Sequence, residues 1–467
     1  MTHAAKNLWV LTEERPKKDV LKMIFNRFAQ DLNVGFFGNE LKIIPILNED
    51  KCFAFTYEVI GFNCSRVSHV YIKTVSGASS FSDFLIFYQN DEPIPETDTP
   101  MYAIEETKTD DKESRNTGVY QRCSKFVYIN QFFPTTKKIM LYDLQIEQKE
   151  KPTETYIFGT RLLMTLGVDI LGKKLDDHLF KPFNSISEII EAKSSMRKAP
   201  KGNVPIQITQ FDDKITISGR LFKNDGIGHD PNICALSIIS AVIRKLDWKK
   251  PIVITHHGLS QCHVGKKNKF VQIANALSIT LDGLTIPTTA LPHTYWHYDL
   301  SGEKLGTIFI HIVVENFTRS FSIFENHAGC EKSYFQTPDG KQIPLAKYAD
   351  RNAYKTGDKS QIIYIPDLVL IDVDEHEAIT IEGKKYCNKQ KGIAELNNYG
   401  SFDDYYLKKY YPSYTIVRTV VLYGSKNDSV YEVEVGFLLN ENGKLVLGIK
   451  APKLFTTAIA NLLSYWN

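Results

Sequence analysis

Three residues in one stretch of the chain have the types and the spacing of a cation site. Asp367 lies in one apolar run, and Glu382 and Lys384 stand two apart in the run that follows. Side chains two apart on a strand point to the same face, so Glu382 and Lys384 should share one side. If the two runs pair as strands, Asp367 joins them. Neighbouring carboxylates repel each other unless a cation lies between them, and carboxylate oxygens suit Mg2+.

A second set of the same residue types occurs earlier in the chain. Asp83 lies in the apolar run FSDFLIF, and Glu106 and Lys108 stand two apart in MYAIEETK. Glu105 competes for the ligand role, but on a regular strand its side chain faces away from that of Glu106. The spacing therefore predicts a second Mg2+ site at Asp83 and Glu106, with Lys108 beside it.

The later set, Pro366-Asp367 followed by Glu382-Gly383-Lys384, resembles the signature of the PD-(D/E)XK nuclease superfamily, which includes many type II restriction endonucleases. The earlier set departs from this signature because Ser82 stands where the proline is usual. In this superfamily the two acids bind Mg2+ and the lysine helps to position or activate the attacking water. For the later set, the alternative is an edge hairpin with a solvated acidic tip. The resemblance implies catalytic roles for Asp83, Glu106, Lys108, Asp367, Glu382 and Lys384.

The resemblance also implies an α/β (α+β) fold class, with two restriction-endonuclease-like cores that each have a central mixed sheet flanked by helices. Apolar residues at helical spacing predict a first helix, and a helix is expected after each motif. The helix after the later motif would place Lys389, Gln390 and Glu395 near the site. The predicted helices are Pro16–Asn33, Glu113–Phe133, Thr155–Leu171, Asp230–Lys245, Lys389–Tyr399 and Leu454–Trp466. The predicted strands include Glu40–Ile46, Cys52–Ile60, Ser68–Thr74, Lys137–Ile146, Gly306–Glu315, Arg319–Glu325 and Ile416–Tyr423.

Changes in composition suggest three successive segments. Residues 1–150 form an N-terminal nuclease-like domain that carries the Asp83 set. Residues 151–205 form a helical connector and linker, since the stretch around 194–207 mixes basic residues with Pro and Gly. Residues 206–467 form a C-terminal nuclease-like domain that carries the Asp367 set and further DNA-recognition elements.

Polar side chains near the motifs are candidates for DNA contacts. Arg, Asn and Gln can make bidentate hydrogen bonds to guanine or adenine edges in the major groove. The alternative for these residues is a solvated face of an amphipathic helix or loop. A nearby group of three histidines and a cysteine, at 256–263, fits no standard zinc spacing. The candidate DNA-binding residues are Arg115, Asn116, Gln121, Arg122, Lys266, Lys267 and Lys269.

Composition limits the class of protein. The chain has 467 residues, with 43% hydrophobic and 24% charged residues and a net charge of +2, so no global charge indicates a polyanion partner. A nucleic-acid cleft can still be basic if acidic surfaces elsewhere offset it. The seven cysteines form no CxxC pair and are typical of reduced thiols. Neither a signal peptide nor a membrane-length apolar run is present, so we expect a soluble cytoplasmic protein with no membrane partner.

These observations predict a sequence-specific, Mg2+-dependent endonuclease that hydrolyses double-stranded DNA, of the type II restriction kind that cuts asymmetric sites. Two unlike sites in one chain would allow it to cut both strands. One alternative is the large subunit of a heterodimeric restriction enzyme, which nicks one strand and works with a small nuclease subunit. A second alternative is a non-catalytic DNA-binding protein whose motifs have decayed.

Overall fold

The structure, a computed structural model, is a mixed α/β arrangement in which several mixed sheets are flanked by helices. This confirms the predicted α+β class. Among the residues that the structure describes, no helix is long and apolar enough to cross a membrane. The described residues are 4–47, 53–77, 81–107, 118–142, 154–172, 178–196, 206–219, 230–299, 303–327, 334–345, 348–349, 351–423, 432–433, 438–439, 445–446 and 452–466.

The strands and helices are numbered in chain order. The strands are β1 Lys6–Thr12, β2 Phe36–Leu47, β3 Phe53–Cys64, β4 Val67–Gly77, β5 Phe84–Tyr88, β6 Tyr102–Thr107, β7 Lys137–Tyr142, β8 Val168–Leu171, β9 Gln207–Gln210, β10 Ile215–Ser218, β11 Ile252–Thr255, β12 Ile279–Leu281, β13 Trp296–Tyr298, β14 Phe321–Glu325, β15 Tyr334–Gln336, β16 Gln342–Pro344, β17 Leu368–Asp372, β18 Glu377–Lys385, β19 Thr415–Tyr423, β20 Glu432–Val433, β21 Leu438–Leu439 and β22 Leu445–Val446. The helices are α1 Lys18–Asp31, α2 Gly118–Phe132, α3 Glu154–Leu166, α4 Ile186–Ser195, α5 Asp230–Lys245, α6 Lys269–Ala276, α7 Lys304–Phe317, α8 Arg351–Thr356, α9 Lys389–Leu396, α10 Gly400–Phe402, α11 Lys408–Tyr410 and α12 Lys453–Trp466.

The chain divides into two compact units that are not successive in sequence. The Asp367 unit comprises residues 1–75, 89–91 and 298–467, and the Asp83 unit comprises residues 76–88 and 92–297. The N-terminal segment belongs to the Asp367 unit through contacts about 300 residues apart, such as the ion pair of Arg15 with Glu315. The division therefore differs from the predicted boundaries at 150 and 205, because long-range pairing leaves no mark in local composition.

The Asp367 unit contains two larger sets of paired strands, besides the short pairs β15–β16 and β21–β22. In the first, β2, β3 and β4 are antiparallel neighbours and β1 pairs with β4 in parallel. In the second, the strand order is β14-β17-β18-β19, with β14, β17 and β18 antiparallel and β19 parallel to β18. Parallel neighbours need a crossover connection, and α9 lies in the one between β18 and β19.

Three strands of the Asp83 unit have the same order and relative directions as β17, β18 and β19. Its strand order is β5-β6-β7-β8, in which β5 and β6 are antiparallel and β7 and β8 continue in parallel. Helix α2 lies in the crossover between β6 and β7. A second sheet of this unit has the order β12-β11-β10-β9, with α5 and α6 connecting its three parallel strands.

One predicted element was wrong in type and another in extent. The segment Gly306–Glu315, predicted as a strand, lies within helix α7, whose residues from Leu305 to Val314 are all buried. An Ile- and Val-rich run reads equally well as a strand or as a helix buried on every side. The helix predicted to continue to Leu171 ends at Leu166 instead. Gly167 has a φ of +86°, a conformation that glycine adopts easily, and β8 follows it.

Candidate functional site

The Asp367 site is built on the hairpin of β17 and β18. Asp367 immediately precedes β17, and the pairing of Leu368 with Ile381 places it opposite Glu382. The backbone N–H of Asp367 donates to the carbonyl of Ile381 at 3.0 Å, and the N–H of Gly383 donates to Asp367 Oδ2 at 2.9 Å. The main chain therefore holds the Asp367 carboxylate beside Glu382.

The Lys384 ammonium lies among three carboxylates. Its Nζ is 2.5 Å from Glu382 Oε1, 2.9 Å from Glu395 Oε2 and 3.2 Å from Glu303 Oε2. Lys384 is only 6% exposed, so little water screens these contacts. The predicted shared face of Glu382 and Lys384 is thus present, and Glu395 lies on α9 near the site, as predicted.

Tyr399 and Glu303 complete the site, and neither was predicted as part of it. The Tyr399 hydroxyl donates to Glu382 Oε2. Tyr399 closes the predicted helix Lys389–Tyr399, so its position was available from the sequence but its contact was not. Glu303 directly precedes α7, which the sequence pattern favoured as a strand, and this error concealed the residue.

The carboxylates of this site repel one another. Burial and the charge of Glu382 raise the pKa of Asp367 to about 7, although the Gly383 N–H and Lys384 oppose the shift. Burial also raises the pKa of Glu382. Burial alone would lower the pKa of Lys384, but its hydrogen bonds to Glu382 and Glu395 raise it overall. The four carboxylates of the site lie near two ammonium groups, since Glu395 also contacts the exposed Lys391 at 3.8 Å.

The glycine between Glu382 and Lys384 is required by close packing. A Cβ on Gly383 would lie 2.5 Å from the carbonyl oxygen of Glu303 and 2.7 Å from Thr307 Cγ2. Real Cβ atoms do not approach a backbone carbonyl this closely, so a side chain here would push α7 away from β18. Gly383 therefore allows the start of α7 to bring Glu303 to Lys384.

The Asp83 site has the same backbone plan. Asp83 immediately precedes β5, and the pairing of Phe84 with Ile104 places it opposite Glu105. The Asp83 N–H donates to Glu105 Oε1 at 3.2 Å, and the Glu106 N–H donates to Asp83 Oδ2 at 2.6 Å. In this register Glu105 corresponds to Glu382, and Glu106 corresponds to Gly383.

The predicted pairing of Asp83 with the Glu106 carboxylate is therefore corrected by one residue. Glu105 is the acid whose carboxylate faces Asp83, and the Glu106 side chain projects from the opposite face of β6 because neighbours on a strand alternate. The prediction failed because it aligned the two motifs by their Glu-x-Lys spacing instead of by strand register. Lys108 lies outside the described residues.

A lysine from helix α2 serves the Asp83 site. Lys125 Nζ is 2.9 Å from Glu105 Oε1 and 3.5 Å from Asp83 Oδ1. Glu105 is fully buried, and burial together with the charge of Asp83 raises its pKa to about 8, against the opposing effect of Lys125. Sequence reasoning missed Lys125 because no spacing rule connects a helix residue to a strand motif 20 positions earlier. Its i, i+3 relation to Arg122 was the available signal.

The predicted DNA-binding residues fall in different places. Arg122 lies at the Asp83 site, where its Nε donates to the Glu106 carbonyl at 3.0 Å and is 3.9 Å from Glu105 Oε2. Gln121 is on α2, and Lys266 and Lys267 are exposed in the turn before α6, whose first residue is Lys269. Arg115 and Asn116 lie outside the described residues. Contacts of all seven residues with DNA stay a prediction.

The histidines at 256–263 make local contacts. His257 Nε2 lies 2.9 Å from the Asp282 carbonyl, and the Ser260 N–H donates to His263 Nδ1 at 3.2 Å. These contacts shape the loop between β11 and α6.

No protein-family model, curated protein or solved structure matches this chain. The functional conclusion therefore rests on the geometry of the Asp367 and Asp83 sites.

Proposed function

We propose that the chain is a sequence-specific, Mg2+-dependent endonuclease that hydrolyses double-stranded DNA and resembles type II restriction enzymes that cut asymmetric sites. One observation carries the proposal, namely that two sites share one backbone plan. In each, an aspartate precedes a strand, a glutamate faces it from the antiparallel neighbour, and a backbone N–H binds the aspartate. A lysine then contacts the glutamate.

The residues present fit Mg2+. The donors are carboxylate oxygens, which hard cations prefer. Burial together with the charge of Glu382 raises the pKa of Asp367, so two charged carboxylates are disfavoured there without a cation. Asp367 and Glu382 would hold one ion, and Asp83 and Glu105 would hold another. When bound, Mg2+ would polarise the scissile phosphate and lower the pKa of a coordinated water.

The chain's own residues position these groups. The raised pKa of Lys384 keeps its ammonium charged at neutral pH, so it can stabilise negative charge that develops on a phosphate. Burial and the charge of Glu382 raise the pKa of Tyr399, so its hydroxyl stays protonated and holds the Glu382 carboxylate in one orientation. Lys125 is placed to do at the Asp83 site what Lys384 does at the Asp367 site.

The two sites also differ, which favours unlike roles. Glu303, Glu395 and Tyr399 surround the Asp367 site, whereas Arg122 and Lys125 from α2 surround the Asp83 site. A target that lacks two-fold symmetry presents each site with a different sequence context. Unlike sites in one chain therefore suit an asymmetric DNA sequence, with each site cutting one strand.

The test is cleavage of phage DNA by the full chain with Mg2+, followed by strand-resolved sequencing of the ends. We expect discrete ends on both strands with Mg2+ or Mn2+ and no cleavage in EDTA. Glu382→Gln should stop cleavage of one strand, so that supercoiled plasmid accumulates as nicked circle. Undiminished cleavage in EDTA, or no cleavage with either cation, would refute the proposal.

The same experiment separates the two alternatives. A wild-type chain that stops at the nicked circle is the large subunit of a heterodimeric, nicking enzyme. A wild-type chain that binds DNA but leaves both strands intact with Mg2+ or Mn2+ is a binding protein only.

A further inference from the structure

A second group of ligand-type side chains lies inside the Asp367 unit. His311 on α7, Glu325 at the end of β14 and His327 just after it each offer one atom, and these atoms all lie within 4.8 Å of one another. His311 Nδ1 is 3.0 Å from His327 Nε2 and 3.5 Å from Glu325 Oε2. His311 is fully buried and His327 is 6% exposed, so bulk water does not reach the rings freely.

The hydrogen bonds around His327 determine which ring nitrogen carries its proton. The Thr307 hydroxyl donates to the carbonyl of Lys304 at 2.9 Å, so its oxygen is left to accept from His327 Nδ1, 3.0 Å away. His327 Nε2 is therefore unprotonated and accepts from the N–H of His311 Nδ1. A metal bound between the two rings would replace this proton and would leave neutral His311 protonated at Nε2 instead. An outer hydrogen bond that fixes the tautomer of a histidine in this way is typical of metal ligands.

The spacing of the ligand atoms agrees with a small tetrahedral ion. For Zn–N bonds of about 2.0–2.1 Å, neighbouring ligand atoms are roughly 3.3 Å apart. The two separations from His311 Nδ1, 3.0 and 3.5 Å, lie on either side of this value.

A buried arginine orients the carboxylate of the group. Arg15 Nε donates to Glu325 Oε2 at 3.0 Å, and its Nη1 lies 2.5 Å from Glu315 Oε2. Two carboxylates against one guanidinium leave one negative charge, and neutral imidazoles add none. Glu315 thus offsets the guanidinium charge, and the Glu325 carboxylate adds one negative charge beside the two imidazoles.

We propose that His311, Glu325 and His327 form a binding site for a transition-metal dication of the Zn2+ class, separate from the carboxylate sites proposed for Mg2+. Two imidazole nitrogens and one carboxylate oxygen are a borderline-soft donor set, which Zn2+ prefers and Mg2+ does not. The proposal is independent of nuclease activity, since it uses none of the residues assigned to cleavage.

The site connects to Asp367 through the backbone. The N–H of Asn326, between Glu325 and His327, donates to the Asp367 carbonyl at 2.8 Å. Thr307, which contacts His327, also faces Gly383. A bound metal would tie α7 to the end of β14. Since these two elements contact Gly383 and Asp367, the metal would also help to hold the β17–β18 hairpin in place.

The test is metal binding by the full chain after chelation, with Zn2+ added in the presence of excess Mg2+ to occupy the carboxylate sites. After desalting, we expect about one Zn2+ per chain by elemental analysis. His311→Ala and His327→Ala should each weaken Zn2+ binding by roughly 100-fold. Losing a residue that only hydrogen-bonds to a ligand costs up to about 100-fold, and losing the ligand itself should cost at least as much. His69→Ala is the matched control, since the His69 side chain is exposed and makes a polar contact with Glu58 and a ring contact with Tyr71.

Co2+ provides a readout on the unaltered chain. Co2+ at a four-coordinate site absorbs visible light, and we expect such a band to appear on titration and to vanish when Zn2+ is added. The absence of both the band and retained Zn2+ would overturn the proposal and leave the cluster a hydrogen-bonded histidine pair. Equal Zn2+ retention by wild type, His311→Ala and His327→Ala would also overturn it, by placing the ion elsewhere.

Discussion

The choice between Glu105 and Glu106 tests the strand register on which the Asp83 site depends. Glu105→Gln removes a charge from the site without changing the shape of the side chain. Glu106→Gln makes the same chemical change one residue away, on the opposite face of β6. The two variants thus differ in the direction of the altered side chain and in little else.

The magnitude follows from the contacts of Glu105. It is the acid that faces Asp83 and binds Lys125 at 2.9 Å, so its loss leaves Asp83 as the remaining carboxylate of the proposed ligand pair. Removing an outer partner of a metal ligand typically costs 10–100-fold in affinity or activity, so losing a ligand itself should cost at least about 100-fold. A 100-fold loss corresponds to about 2.7 kcal/mol in the barrier. Glu106→Gln should leave cleavage by this site near the wild-type rate.

The assay is cleavage of supercoiled plasmid followed by sequencing of the ends on each strand. Glu105→Gln should accumulate nicked circle, cut on the strand that the Asp367 site cleaves. Melting in EDTA controls for folding. Burial and the charge of Asp83 raise the pKa of Glu105 to about 8, so the cation-free fold favours the neutral form at pH 7. A neutral glutamine should not lower the melting temperature there.

The opposite ranking would refute this reasoning. In that case Glu106→Gln would abolish cleavage of one strand while Glu105→Gln still cleaved both. Glu106, aligned with Lys108 by the Glu-x-Lys spacing, would then be the acid that acts with Asp83, and the choice of Glu105 from the strand register would be wrong. If both variants cleaved both strands at the wild-type rate, the Asp83 site would have no catalytic role.

Three further predictions follow from the same contacts. Lys125→Ala should slow cleavage of the DNA strand assigned to the Asp83 site by roughly 100- to 1,000-fold, as the loss of a donor to a developing anion does. This loss should exceed that of Lys108→Ala, and single-turnover rates would show the difference. Asp367→Asn should raise the melting temperature in EDTA above pH 7 by a few degrees, since about 1 kcal/mol shifts Tm by roughly 2–4 °C. The pKa of Asp367 is raised to about 7 in the cation-free fold, so the wild-type chain loses stability as pH rises towards 7. Asparagine cannot ionise, so the variant does not lose stability in this way. Equal melting curves of the two chains at pH 8 would contradict the prediction. Gly383→Ala should destabilise the chain by about 1–3 kcal/mol through overpacking against the Glu303 carbonyl. Gly265→Ala should not destabilise it, because the space around Gly265 is open. Urea unfolding of both variants measures the difference.

The sequence by itself determined many local elements and the shared face of two residues of the Asp367 site. Alternation along a strand was enough to place Glu382 and Lys384 on one face, because that periodicity is a property of the backbone alone. Apolar periodicity likewise predicted α1, and the sequence predicted the bounds of α5; the structure confirms both. The α+β class, which the resemblance implied, is also confirmed.

Tertiary structure decided what depends on register and on distant contacts. Whether Asp83 faces Glu105 or Glu106 depends on how β5 pairs with β6, and a shift of one residue reverses every side chain. Helix α7 was misread because a run buried on all sides loses the periodicity that distinguishes a helix from a strand. Lys125, Glu303 and Tyr399 reach their carboxylates only after helices fold onto the sheets. The pairing of Arg15 with Glu315, and the meeting of His311 with His327, likewise join segments that no local pattern relates.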